Sequence, residues 1–182
     1  GFFIEYLRDA SSVVRRFGLD GRPQGEVALP GLGNVTGFGG KRRDRETFYS
    51  YASFTDPATI YRYDLTQGQA SLFRRPKVDF DPAAFETRQV FYASKDGARV
   101  AMFLVHRKGL TLDGNNPTLL YGYGGFNIVV SPTFSAARLA ILERGRVDGR
   151  RPAPGRGAED EARGTDEADA RRRRYVPEGY ED

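Results

Sequence analysis

The chain has 182 residues and a formal net charge of +4, with 39% hydrophobic and 13% aromatic residues, enough for one domain or one and a half with a packed core. It contains no cysteine, which excludes disulfides and thiolate metal sites and fits a reducing compartment. No run of about 18 apolar residues occurs, so no membrane span is expected. Gly1-Phe2-Phe3-Ile4 lacks the basic n-region and apolar stretch of a signal peptide. It begins inside a strand-like segment, as a cut end would.

Residues 2–8 and 12–19 read as strands, with a turn at Gly18-Leu19-Asp20-Gly21-Arg22-Pro23 and Val27-Ala28-Leu29 following. Pro30-Gly31-Leu32-Gly33-Asn34 breaks the pattern. Thr47–Phe54 is rich in aromatic residues and predicts a strand, as does Thr59–Asp64. Asp64–Gln69 is a hairpin turn, and Ala70–Phe73 returns. Short strands at a spacing of about 8–12 residues point to a sandwich, barrel or propeller. Pattern alone favours the sandwich. Arg74–Pro82 is polar and broken by proline, and reads as an interdomain linker.

After the linker the texture changes. Glu86–Ser94, Val100–Val105 and Thr118–Tyr121 predict strands, with a hairpin signal at Lys95-Asp96-Gly97-Ala98. Pro117–Tyr121 reads as a buried strand that empties into a tight loop, Gly122-Tyr123-Gly124-Gly125-Phe126-Asn127. The glycines there let the backbone approach a ligand closely. A phenol in that loop can donate to a developing oxyanion, and a phenylalanine can wall an apolar pocket. Ser135–Arg144 predicts a helix, with Ser131 or Ser135 as its cap and Gly145 as its end. From Arg146 to Asp182 about half the residues are charged, with Arg171–Arg174 at the centre. Disorder is expected there, because too few apolar residues remain to offset an ordering cost of roughly 1–2 kcal/mol per residue.

Tyr121-Gly122-Tyr123-Gly124-Gly125-Phe126-Asn127, with Lys95-Asp96-Gly97 and Leu112-Asp113-Gly114 upstream, resembles the prolyl oligopeptidase family. These are serine peptidases that join a β-propeller to an α/β-hydrolase domain. The similarity extends through Met102–Gly109 and Pro132–Ser135. Phe2–Leu7 and Ile60–Leu65 are similar to the end of the family's propeller. Gly124-Gly125-Phe126 separates the chain from the oligopeptidase B branch, which tends to carry Gly-Ser-Tyr. The acidic motif that dipeptidyl peptidases use for the substrate amine is not seen.

The resemblance covers roughly residues 1–145. It implies a mixed fold, with the last one and a half to two blades of a β-propeller over 1–75 and a linker over 76–85. The start of an α/β-hydrolase domain follows over 86–145, and residues 146–182 form a disordered tail. It assigns Tyr123 to the oxyanion hole and Phe126 to the wall of the substrate's proline pocket. The implied substrates are short proline-containing peptides, and the implied compartment is the cytoplasm, with the periplasm as the alternative. No cofactor or metal is expected. In the family an apolar strand and a Gly-rich loop would follow Gly145. The Arg, Ala, Gly, Pro and Asp content of 146–182 instead predicts an out-of-frame reading of a GC-rich coding sequence. A coding sequence with no family-like continuation in its other frames would count against that.

A hydrolase of this kind needs Ser, then Asp, then His, with the serine in a Gly-x-Ser-x-Gly elbow. Ser50, Ser53, Ser94, Ser131 and Ser135 all lack the flanking glycines. His106, the single histidine, lies in a strand-like stretch that the resemblance treats as structural. One histidine and no cysteine also make poor zinc ligands. The expectation is therefore a fragment of a peptidase that lacks the triad and is inactive alone. The alternative is a non-catalytic module whose Arg-rich tail contacts a polyanion. The tail's Arg residues alternate with Asp and Glu, which argues against nucleic acid. Asn34-Val35-Thr36 matches a glycosylation sequon, with nothing beside it that indicates secretion. Lys41-Arg42-Arg43-Asp44-Arg45 reads as a solvated loop. Open sheet edges, which an incomplete propeller would leave, favour aggregation.

Overall fold

The computed structural model describes residues 1–123 and 129–151. They form two units: Gly1–Asp79 together with Ser131–Ser135, and Phe80–Val130 together with the chain from Ala136.

In the first unit, β1 (Phe2–Arg8), β2 (Ser11–Phe17) and β3 (Pro23–Glu26) form an antiparallel sheet in that order. Strands β4 (Asn34–Gly37), β5 (Glu46–Ala52), β6 (Thr59–Asp64) and β7 (Gln69–Arg74) form a second antiparallel meander. Alternation explains β5. Thr47, Tyr49 and Tyr51 are buried, while Phe48 between them is exposed, as a pleated strand with one packed face requires. The register Tyr49↔Tyr61 and Thr47↔Tyr63 continues that face onto β6. Val14, Val27, Val35, Tyr49, Tyr51 and Tyr63 make a single core, with Phe3 and Phe38 packed on it. Phe38 stacks on Phe3 and on Tyr49 with ring centroids 4.7 Å apart in each case. Such pairs add about 0.5–1.5 kcal/mol beyond area burial.

Two strands of this unit escape the sequence pattern. All four residues of β3 are exposed, so no apolar period marks it; the backbone ladder to β2 makes it a strand. Strand β4 follows the Pro30–Asn34 break directly, and only its Val35 is buried. The β1–β2 turn places Asp9 and Ala10 at φ of 50° and 62°. That is the mirror-type hairpin turn, usually made by Asn-Gly.

The second unit opens with a 3-10 turn at Pro82–Ala84, whose Ala83 N–H donates to the Asp81 carboxylate at 3.0 Å. Strands β8 (Phe85–Ala93) and β9 (Arg99–Arg107) pair antiparallel along their whole length. The Ser94–Ala98 turn joins them, closed by Ser94 N–H to Ala98 O at 2.8 Å. Strand β10 (Thr118–Gly122), helix α1 (Ala136–Glu143) and β11 (Val147–Arg151) complete the unit in the order β10-β11-β9-β8. Strand β11 runs parallel to β10 and antiparallel to β9, so β10, α1 and β11 form a crossover unit. Helix α1 buries Leu139 and Leu142, three residues apart and hence on one face. It ends at Gly145, whose φ of 71° is the left-handed turn that stops helices.

Two expectations are corrected here. Strand β10 is expected to be buried, but among the described residues it lies at the sheet's edge, with Leu119 and Leu120 each 40% exposed. Disorder was expected from Arg146, but Val147–Arg151 is a strand. Ladders on both sides supply its backbone hydrogen bonds. Its buried Asp148 carboxylate accepts from Arg150 Nε at 3.0 Å on both oxygens. Residues 152–182 of the expected tail lie outside the described residues.

Candidate active site

The site is built on the carboxyl end of β10. The Pro117 carbonyl accepts from Val147 N–H at 3.1 Å, starting the parallel ladder. The register then runs from Thr118↔Val147 to Gly122↔Arg151. Both strands of a parallel pair end on the same side of a sheet, and ligands bind beyond such ends in open α/β sheets. Tyr123 is the first residue past β10 and is 40% exposed. Its phenol can therefore reach solvent, as an oxyanion donor must before substrate arrives. Phe126, the other predicted site residue, lies outside the described residues.

A cationic cluster accompanies this strand end. Tyr121 pairs in register with Arg150, whose guanidinium carbon lies 4.7 Å from the Tyr121 ring centre. Arg150 in turn holds the buried Asp148 carboxylate. On α1, Arg138 has its pKa lowered by burial and then by the charge of Arg150, with Asp148 opposing. Sequence reasoning missed this trio, because Arg138 sits in an Ala- and Leu-rich helix and Asp148 and Arg150 in a charged run, and no period links the two. The Arg150 guanidinium thus lies between the Tyr121 ring and the Asp148 carboxylate that it pairs with.

The other candidates lie elsewhere. His106 is 1% exposed on β9. Its Nδ1 is 2.9 Å from the Arg107 carbonyl and 3.6 Å from Glu86 Oε1. Its Nε2 is buried with no hydrogen-bond partner among the described residues. A ring enclosed in this way cannot relay protons to a substrate. Ser53 accepts from the N–H groups of Thr55 and Asp56 at 3.2 and 2.9 Å, which makes it a turn residue. Ser131 Oγ accepts from the Asn34 amide at 2.8 Å.

Residues 1–76 match the family model for the prolyl oligopeptidase N-terminal β-propeller domain. Among curated proteins, the chain is 40% identical over 146 residues to the prolyl endopeptidase of Elizabethkingia meningoseptica, a match that covers 80% of this chain and 21% of the relative. The chain belongs to the prolyl oligopeptidase family. It is 41% identical over 146 residues to the prolyl oligopeptidase ophP of Omphalotus olearius, across 77% of this chain and 19% of that protein. Among solved structures, one from a study of two prolyl endopeptidases and their inter-domain dynamics is 43% identical with a TM-score of 0.74. That match covers 82% of this chain and 22% of the other. Apo prolyl oligopeptidase B from Galerina marginata gives a TM-score of 0.74 at 31% identity, covering 82% of this chain and 22% of that one. The same Galerina protein has been solved bound to a 35mer hydrolysis and macrocyclization substrate. The chain thus spans about a fifth of the length of the curated relatives it matches. The family match selects the propeller over the sandwich that strand spacing alone favours.

Proposed function

We propose that this chain carries one side of the active site of a serine-type peptidase that cleaves short peptides after proline. Tyr123 supplies one oxyanion-hole donor, and Phe126 supplies an apolar wall for the proline. Residues 1–75 act as propeller blades, and the crossover sheet of β8–β11 is the opening of an α/β-hydrolase domain. The observation that carries this reading is the position of Tyr123. It follows directly on β10 at the carboxyl end of a parallel strand pair, exposed and close in sequence to Tyr121, which faces the Arg150 cation. The sequence holds no Gly-x-Ser-x-Gly elbow, so these 182 residues do not by themselves complete a nucleophile, base and acid.

Two measurements test this. The chain alone should release no product from a chromogenic Gly-Pro reporter peptide, and any turnover that survives removal of trace peptidases sinks the incomplete-site argument. Residues 118–145 should also replace the matching stretch of the Elizabethkingia meningoseptica enzyme with activity kept. In that chimera Tyr123→Phe should lower kcat about 10²–10³-fold, the usual cost of one oxyanion-hole donor, with KM little changed. An unchanged kcat would remove Tyr123 from the oxyanion hole.

A further inference from the structure

The sequon at Asn34 has no part in the peptidase reading, yet its side chain occupies an unusual position. Asn34 Nδ2 donates to Ser131 Oγ at 2.8 Å, across 97 positions of sequence. The segment Ser131–Ser135 groups with the propeller unit, whereas the chain before it and after it belongs to the other unit. Pro132, next to Ser131, is among the most deeply buried residues of the chain. We infer that Asn34 is a positioning residue, whose amide pins this five-residue strap to the propeller sheet.

The donor is held rigidly. Gly33 N–H donates to Ser11 Oγ at 3.0 Å, and Ser11 Oγ–H donates back to the Gly33 carbonyl at 3.1 Å. Ser12 N–H donates to the same carbonyl at 2.9 Å. On the other side of Asn34, Val35 N–H donates to Ser12 Oγ at 3.1 Å, and that hydroxyl donates to Glu5 Oε1 at 2.7 Å. A β-carbon at position 33 would overlap the Tyr51 ring and lie 2.6 Å from the Ala52 carbonyl oxygen, so only glycine lets the backbone come this close. Both neighbours of Asn34 are thus fixed by the Ser11-Ser12 pair. The amide reaches Ser131 from a backbone that is already ordered, which lowers the entropy cost of the bond. A glycan on Asn34 Nδ2 would occupy the nitrogen that makes this bond.

Hydrogen–deuterium exchange of the full 182-residue chain tests the pin. Asn34→Ala and Ser131→Ala should each speed exchange at residues 129–135 about fivefold, the opening that loss of one neutral side-chain hydrogen bond allows. The double variant should be no faster than either single one, because both remove the same bond. Exchange in β5 and β6 should stay at the wild-type rate in all three. Asn34→Asp, which can accept from the Ser131 hydroxyl, should keep part of the protection, whereas Asn34→Leu, which fills similar space without a hydrogen bond, should keep none. Unchanged exchange at 129–135 in the single variants would overturn the inference, and so would additive effects in the double variant. The pin does not rest on the peptidase reading. The exchange result therefore stands or falls apart from the reporter-peptide result.

Discussion

The two units solve burial in opposite ways. The propeller unit packs two antiparallel sheets through tyrosines and phenylalanines, with Phe3, Phe38, Tyr49 and Tyr63 in mutual ring contact. The crossover unit instead places one strand, β9, at its centre and buries every residue from Met102 to His106. Its outer strand β10 leaves leucines on view. An alternating strand with one packed face announces itself in sequence. A doubly buried central strand and a bare edge strand do not, since a continuous apolar run fits either position.

The sharpest way to break this comparison is to hollow out each core. Tyr49→Ala in the propeller unit should cost about 3–5 kcal/mol, and Leu104→Ala in β9 about 2–5 kcal/mol. Urea titrations followed by circular dichroism would read both. A loss under about 1 kcal/mol at either position would mean that its site is not close-packed.

Alkali should weigh more on the propeller unit, although burial also raises the pKa of Tyr92 on β8. Burial pushes the Tyr49 and Tyr51 phenols from 10.0 up to about 12. The folded state then keeps protons that the unfolded chain releases above pH 10. Stability from these groups is complete below pH 10 and falls as pH rises toward 12. Urea midpoints at pH 8 and pH 11 should show the drop, and Tyr49→Phe should shrink it. Tyr49 Oη is buried with no partner among the described residues, so Tyr49→Phe should also gain about 1 kcal/mol at pH 8. A variant with the wild-type alkaline drop would show that Tyr49 does not hold its proton through burial.

The smallest expected effect is in the β1–β2 turn. Asp9→Asn with Ala10→Gly suits the positive φ at both positions and should raise stability by up to about 1 kcal/mol in thermal melts. No gain would mean that the unfolded-state entropy of the new glycine offsets the relieved strain.

Much of this architecture could be read from residue order, for physical reasons that differ by element. Strands β5 and β6 were legible because aromatic residues alternate with polar ones, and the β8–β9 hairpin because Asp96-Gly97 marks its turn. Helix α1 was legible because Ala and Leu run up to a glycine. Strand β3 was not, since Pro23-Gln24-Gly25-Glu26 has nothing to bury. Strand β11 was not, since Val147 is its single aliphatic residue and its order comes from ladders to β9 and β10. At the candidate site, the glycine-aromatic run marked the end of β10, after which Tyr123 stands. The Arg150–Asp148 pair and the Asn34–Ser131 bond depend on contacts that composition does not encode.

Strand β11 also bears on the order in which the chain can assemble. Strands β9 and β10 follow one another in sequence but are not neighbours in the sheet. The gap between them is filled by β11, which follows both in sequence. During synthesis the β8–β9 hairpin can form as soon as it emerges, because its contacts are local. Strand β10 must then wait for its β11 partner until residues 123–151, the helix among them, are made. Only when Val147–Arg151 slides between the two does the sheet become continuous. The candidate site at the end of β10 therefore takes shape only after β11, well downstream in sequence, has been made.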